Sequence, residues 1–386
     1  MDFDLRDEQR QLQESLGRVL AEHCSFEARQ RHVAEPEGFV RAMWARYAEL
    51  GLLGLPLAEA HGGFGGDASD TLLVMEALGR VMAAEPYLAT VVLGATAIAR
   101  GGTDAQQSEL LPRISDGGLL LAWAHSESGA WHDPAVVTTR AARKGGDWQL
   151  TGAKTMVLHG AAADLLVVSA RVRGAADETD GLALFLVDGT APGLKRRSRR
   201  LIDQSAAAEL ALDATPAVPL GRPGDAWPVI EAVVHAGIAA VCAQSVGAMQ
   251  AALDLTVNYL KTREQFGRAI GGNQALQHRA AEMLTATEQA RSMAMLAAMM
   301  VDDAEAPDRV RQLSMAKLVV SREGRSVAQQ AVQLHGGIGV TTEYAIGHYM
   351  RYLTVAEQLF GDTAWHLRRV AGLSVGYQGQ PGLWDG

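Results

Sequence analysis

The run Leu119-Leu-Leu-Ala-Trp-Ala-His-Ser-Glu127 is where the hydrophobic period of this chain changes. It is followed by Ala135-Val-Val-Thr-Thr-Arg-Ala-Ala-Arg-Lys144, Asp164-Leu-Leu-Val-Val-Ser-Ala-Arg-Val172 and further β-rich stretches at 147–160, 182–189 and 208–214. Gly145-Gly146, Asp188-Gly189 and Pro192-Gly193 separate several of them. Short β-branched and apolar runs bounded by turn pairs read as strands. No amphipathic crossover helix lies between them, so the segment reads as a mostly antiparallel β domain and not a doubly wound sheet.

Outward from this block, both flanks take the helical period. On the N-terminal side Leu12, Leu16, Val19 and Leu20 share one face, the stretch 39–55 repeats the pattern until Gly51 and Gly54, and His61-Gly-Gly-Phe-Gly-Gly66 is a glycine loop between helices. On the C-terminal side, helices are expected over Trp227 to Lys261, Gln274 to about Asp303, Asp308 to Leu334 and Tyr344 to about Gly372. Long helices with short connections predict an antiparallel four-helix bundle. The fold class is therefore α+β multidomain, with a helical domain over 1–117, a middle antiparallel β domain over 118–222 and a helical bundle over 223–386. The glycine-rich tail 376–386 is expected to wrap or fray.

Composition narrows the function. A chain of 386 residues, 48% hydrophobic and 20% charged, is an ordinary globular protein too long for one core. The net charge of −9, with a single short basic cluster, argues against nucleic-acid binding. The basic run Lys195-Arg-Arg-Ser-Arg-Arg200 reads as a solvated loop. Cys24 and Cys242 have no nearby partner, so a reducing compartment is expected. The opening residues carry no signal or transit pattern, and the most apolar windows, 87–99 and 228–243, read as core helices without a membrane span; the expected location is cytoplasmic.

Several motifs have a plain structural reading. Gly63-Phe-Gly-Gly-Asp-Ala68 fits a dinucleotide fingerprint on paper, but no buried strand precedes it and a structural turn is expected. His125, Glu127, His132 and Asp133 bracket a loop; a capped turn is preferred over a metal site, and no metal is expected. Two motifs remain open between structural and ligand-binding readings: Tyr259-Leu-Lys-Thr-Arg-Glu-Gln-Phe-Gly-Arg-Ala-Ile-Gly-Gly-Asn-Gln274 and Gln333-Leu-His-Gly-Gly-Ile-Gly339. Paired glycines allow close backbone approach and leave N–H groups for an anion.

With Ala122–Asp133 and Leu359-Phe-Gly-Asp-Thr-Ala-Trp-His-Leu-Arg-Arg369, these motifs make the chain resemble the acyl-CoA dehydrogenase family along nearly its whole length. The opening helix and Glu35-Pro-Glu-Gly38 are similar to a pimeloyl-CoA dehydrogenase small-subunit branch. The resemblance implies FAD as cofactor, an acyl-CoA thioester as substrate and α,β-dehydrogenation. It implies an electron-transferring flavoprotein as acceptor, and assembly as a homo-oligomer or with a related large subunit.

It further implies that Arg263 meets the FAD pyrophosphate, that Phe266 and Gln274 flank the cofactor, and that Ser126 lies by the flavin ring. Gln333, Gly336 and Gly337 would reach the adenosine end of the FAD of a neighbouring subunit. Met156 stands where the family often has a tryptophan, and His132 where it often has a substrate-contacting serine. The catalytic base is the main departure. The two positions from which the family takes its glutamate are here Phe360 and Gly237. Asp362, Glu357 or His235 would have to serve instead, or a large subunit supplies the base and this chain is its non-catalytic partner. Other flavin chemistry, such as monooxygenation or nitroalkane oxidation, is a weaker alternative.

Overall fold

The computed structural model describes residues 5–374; the tail 376–386 lies outside the described residues. Six helices come first: α1 (Asp7–His23), α2 (Phe26–Ala34), α3 (Arg41–Glu49), α4 (Ala68–Arg80), α5 (Thr96–Gly101) and α6 (Asp104–Ser115). A buried π-helical segment, Leu88–Ala95, runs directly into α5. Local capping sets several starts: Asp67 accepts from Asp70 N at the head of α4, and Thr103 forms a reciprocal cap with Gln106 on α6. The glycine loop 61–66 precedes the Asp67 cap with no strand before it, so it is the expected turn.

The middle domain is a seven-stranded sheet. Its strands are β1 (Leu121–Ala124), β2 (Arg140–Lys144), β3 (Asp147–Leu158), β4 (Leu165–Arg171), β5 (Leu182–Asp188), β6 (Leu194–Arg200) and β7 (Ala206–Pro219). Pairing is antiparallel except that β1 and one residue of β2 run parallel to β4. The Lys195–Arg200 run is therefore not a loop: it is strand β6, paired along β7, with Arg199 held by Glu209. It lacked the hydrophobic alternation of a strand because β6 pairs only with β7 and is largely exposed, and charge on such an outer strand discourages further pairing.

The C-terminal region holds α7 (Trp227–Thr262), α8 (Gln274–Asp302), α9 (Arg309–His335), α10 (Ile346–Gln358) and α11 (Thr363–Leu373). The expected fourth helix over 344–372 is two helices. The break falls at Leu359-Phe360-Gly361-Asp362, where Phe360 (φ 59°) and Gly361 (φ 109°) take left-handed backbone and Asp362 caps α11. Helix α7 is long and apolar enough to cross a bilayer, but 72% of its most apolar window is buried inside the protein. It packs closely on α4: a Cβ at Gly79 would lie 2.0 Å from Gln244 O, and one at Gly247 1.9 Å from Glu76 O. One continuous apolar core thus joins the N-terminal helices to the bundle, while the sheet has a second core of its own.

Candidate active site

A cleft of about 460 Å³ opens between the sheet and the turn joining α10 to α11. The β1 end and its following loop contribute Trp123, Ser126 and His132; the bundle contributes Val234 from α7, Phe360 and Trp365. A bulge in β3, between Lys154 and Val157, gives Met156 a φ of 53° and places it in the cleft lining. Thr155 N donates to Ser126 O at 2.9 Å, tying that bulge to the loop after β1.

Beneath the cleft floor lies a buried ionic network. Lys154 Nζ, fully buried, donates to Glu127 Oε1 (2.7 Å), Ser169 Oγ (2.9 Å) and His125 O (3.1 Å). Glu127 also accepts from Thr139 N (3.0 Å), Thr138 N (2.7 Å) and the Thr138 hydroxyl. Burial pushes the Glu127 carboxyl up, but the Lys154 ammonium and these donors prevail and hold it down at about 2. Burial draws Lys154 down to about 8, with Glu127 opposing. His125 is drawn to about 3 by burial and then by Lys154, so its imidazole is neutral. Since Ser169 Oγ accepts from Lys154, its proton points to His125 Nδ1 at 2.9 Å, which leaves the His125 hydrogen on Nε2. Glu127 thus closes a turn, the reading preferred over a metal ligand. Among the described residues no group of three or more His, Cys, Asp or Glu could hold a metal ion.

Lys154, Ser169 and Arg171 were not singled out from sequence. The available signal was a lysine on the inward parity of β3, two pairs of residues beyond buried Leu150. Arg171, also buried, donates to the carbonyls of Ala135 and Val137 and so secures the far end of the segment that lines the cleft.

Gly237 and Phe360, the two positions at which the resemblance would place the base, meet in space. A Cβ at Gly237 would lie 2.6 Å from Phe360 Cζ, so the ring rests on the glycine of α7. Gly237→Ala is expected to destabilise the protein by about 1–3 kcal/mol through overpacking, and Gly237→Ala with Phe360→Ala to recover part of that loss; thermal unfolding of the single and double variants checks it.

The remaining candidate bases are engaged elsewhere. Glu357 is buried, bonded to Arg325 and to Thr363 Oγ1 (2.8 Å), and does not line the cleft. His235 is buried outside the cleft lining and drawn to about 3 by burial, then by Arg309 and Arg369. Asp362 Oδ1 caps α11 by accepting from Trp365 N (2.7 Å), while its Oδ2 stands 3.9 Å from His132 Nε2. Of the two carboxylates that do line the cleft, Glu127 is tied to Lys154 and Asp133 Oδ1 accepts from Ala135 N at 2.9 Å.

The cofactor motifs form a second surface. Arg263 ends α7, Phe266 sits fully exposed at φ 52° in a two-residue hairpin (Glu264–Gln265 with Arg268–Ala269), and Gln274 opens α8. Gln333 and the Gly336–Gly337 turn lie at the end of α9. Tyr259 stacks on His335 with ring centroids 4.5 Å apart, so both motifs adjoin on one chain. None of these residues lines the Ser126 cleft. The side chains of Arg263, Gln274 and Gln333 have no hydrogen-bond partner among the described residues. Added Cβ atoms at Gly336 and Gly337 would meet nothing within 4 Å. An unengaged guanidinium, an uncapped α8 N-terminus and an open glycine turn suit a phosphate-bearing dinucleotide. The aromatic and apolar cleft suits a flat ring. The residues present therefore fit FAD.

A helical domain, an antiparallel sheet and a helical bundle around such a cleft define the acyl-CoA dehydrogenase fold. Three family descriptions match the chain: the acyl-CoA dehydrogenase N-terminal domain over residues 6–118, the middle domain over 122–214 and the C-terminal domain over 224–372. An acyl-CoA dehydrogenase of Bacillus subtilis (strain 168) is 31% identical over 317 residues, 80% of this chain and 82% of the relative. Among solved structures, a variant of the Tcur3481-Tcur3483 steroid ACAD superposes with TM-score 0.86 at 32% identity, covering 95% of this chain and 97% of that one. The ChsE4-ChsE5 complex from Mycobacterium tuberculosis gives 0.85 at 26% identity, with 96% and 98% covered. This chain belongs to the acyl-CoA dehydrogenase family, whose members are FAD-dependent oxidoreductases acting on CH–CH bonds.

Proposed function

We propose that this chain is the small subunit of a heteromeric, cytoplasmic acyl-CoA dehydrogenase, akin to the pimeloyl-CoA dehydrogenase small-subunit branch, and that a related large subunit supplies the catalytic base. The observation that carries this is the Phe360 ring seated on Gly237: both sources of the family's glutamate are taken by groups that accept no proton. The kinship of two solved neighbours with paired chain names, Tcur3481-Tcur3483 and ChsE4-ChsE5, supports a two-chain assembly.

When bound, FAD supplies the hydride acceptor for the β-carbon of the acyl thioester. The chain's own residues bind and orient. Arg263 would make a charge-assisted contact to the pyrophosphate, with Phe266 and Gln274 beside it and Gln333, Gly336 and Gly337 at the adenosine end. Because Tyr259 and His335 join these motifs on one surface, both are assigned to the cofactor whose ring lies in a neighbouring subunit's cleft. The exposed apolar side chains Phe266, Ile338 and Val340 favour a covering chain there. Ser126 and Met156 line the cleft where they would face the ring, and Trp123, Phe360 and Trp365 would exclude water, which would strengthen any hydrogen bond polarising the thioester carbonyl. Reducing equivalents would leave to an electron-transferring flavoprotein.

The test is to purify the chain alone and with its large subunit. Expected is acyl-CoA bleaching of flavin absorbance only in the mixture; full bleaching by the chain alone would refute the borrowed base. A chain that holds no flavin alone, in a mixture that retains FAD and is bleached by acyl-CoA, would favour the second reading, a non-catalytic partner that completes the FAD and substrate sites of the base-carrying large subunit. Arg263→Lys is expected to lower flavin retention about tenfold, because a point ammonium replaces a forked donor; flavin absorbance per protein after gel filtration measures it.

A further inference from the structure

The bundle's main contribution to the cleft wall, Gln358-Leu-Phe-Gly361, is held by two buried side chains that do not themselves line the cleft. Helix α10 ends in an extended Leu359 (φ −74°, ψ 132°), and no backbone N–H of residues 359–361 returns to its last turn. The carbonyls left over at such an end need other donors. Lys317 of α9, only 1% exposed, supplies them: its Nζ donates to Glu357 O (2.9 Å), Ala356 O (3.1 Å) and Ser321 Oγ (3.0 Å). The Glu357 carboxylate is bonded instead to Arg325 and to Thr363 Oγ1. The Lys317 ammonium is thus directed at carbonyl and hydroxyl oxygens. From α11, fully buried His366 bonds through Nε2 to Phe360 O at 3.0 Å. Burial, then Lys317, draws this imidazole down to about 3, so it is neutral. A carbonyl only accepts, so the His366 hydrogen lies on Nε2. Gly361 passes close by, and an added Cβ there would lie 2.7 Å from His366 Nε2.

A buried ammonium bonded to no carboxylate carries a desolvation cost that a well-packed apolar side chain would avoid. The usual glycine cap closes a helix end with the chain's own N–H groups. Donors from α9 and α11 do the same here while the chain runs extended from α10 into the cleft. We propose that Lys317 and His366 are positioning residues for the dehydrogenation: by capping α10 from inside the bundle and holding the Phe360 carbonyl, they fix the 358–361 wall and with it the alignment of the acyl thioester against the flavin ring. The proposal rests on the reading that an acyl-CoA and a flavin share this cleft.

Lys317→Met and His366→Leu remove these donors, whereas His366→Gln keeps one, since its amide nitrogen can take the place of Nε2. Steady-state acyl-CoA oxidation is measured on the FAD-loaded assembly with the large subunit. In Lys317→Met and His366→Leu, kcat should fall about tenfold or more while KM and flavin content stay within about threefold, because misplacing a bound reactant acts on rate more than on binding. His366→Gln should stay within about threefold of the native kcat. A native kcat in the folded, flavin-loaded Met and Leu variants, or an equal loss in His366→Leu and His366→Gln, overturns the proposal. Where Lys317→Met does not assemble, the two His366 variants decide. A second readout needs no turnover. Gly237→Ala should lower the Tm of the native chain, and by roughly half as much or less in the His366→Leu background, because a released turn lets the Phe360 ring leave residue 237. Equal shifts in both backgrounds also overturn the proposal. An assembly that oxidises no acyl-CoA removes the reaction reading, and the two shifts then decide whether the donors hold the wall.

Discussion

Lys154→Met is expected to lower the unfolding free energy by about 3–5 kcal/mol, the range for stripping one partner from a buried ion pair. The lysine is completely buried and its three donors go to Glu127, Ser169 and the His125 carbonyl. Removing it leaves the Glu127 carboxylate in a dry site with only the Thr138 and Thr139 donors. Lys154→Met with Glu127→Gln should restore part of the loss, because it removes the uncompensated charge. Denaturant unfolding of both variants measures it, and a Lys154→Met loss under about 1 kcal/mol would show that the network is not a buried ion pair. The same network sets an acid limit. Glu127 is held near 2 in the folded protein, below its unfolded value near 4.5, so its contribution is fully present above about pH 4.5 and is lost as pH falls towards 2. That contribution is on the order of 3 kcal/mol, from 1.36 kcal/mol per unit. Glu127→Gln should flatten the fall in stability over that window.

Phe360→Glu is expected to create a working base. The position borders the cleft, and a glutamate is smaller than the phenyl ring it would replace over Gly237, so the site has room for it. The apolar wall around it would raise the carboxyl towards neutrality, as proton abstraction from a weak carbon acid requires. General-base catalysis contributes roughly 10²- to 10⁴-fold. The readout is deuterium uptake from D2O at the α-carbon of a bound acyl-CoA, followed by NMR with the chain free of any companion. The native chain and Phe360→Gln should exchange slowly, and Phe360→Glu faster by that factor. Equal rates for Glu and Gln would remove position 360 from the reacting centre.

Much of the architecture was legible because it rests on local periodicity. The β-rich runs from Leu119 onward alternate or cluster at strand length, and the flanks carry a helical stripe, so domain order followed without tertiary information. Where periodicity was silent, reading failed. Strand β6 carries five basic residues and no alternating apolar face, and its pairing along β7 is a non-local fact. The single helix expected over 344–372 is cut at Phe360 and Gly361 by left-handed backbone, with Gly361 and the N-capping Asp362 as the local stop and start signals that the reading passed over.

The site divides the same way. Arg263, Phe266, Gln274 and Gln333–Gly337 stand out in sequence because motif spacing is a local property. That they adjoin through Tyr259 and His335, away from the Ser126 cleft, is decided by how α7 packs beside α9. The lack of a glutamate at 237 and 360 could be read from residue identity. That one ring fills the space above the other position could not, since the two lie far apart in the chain and meet only where α7 crosses the α10–α11 turn. Sequence by itself therefore determined domain order, most element types and the presence of the Arg263 and Gly336–Gly337 motifs, all set by chemistry within a few residues. Only the tertiary structure decided which carboxylates are spent in ion pairs and which ring rests on Gly237, because burial and pairing depend on contacts between distant segments.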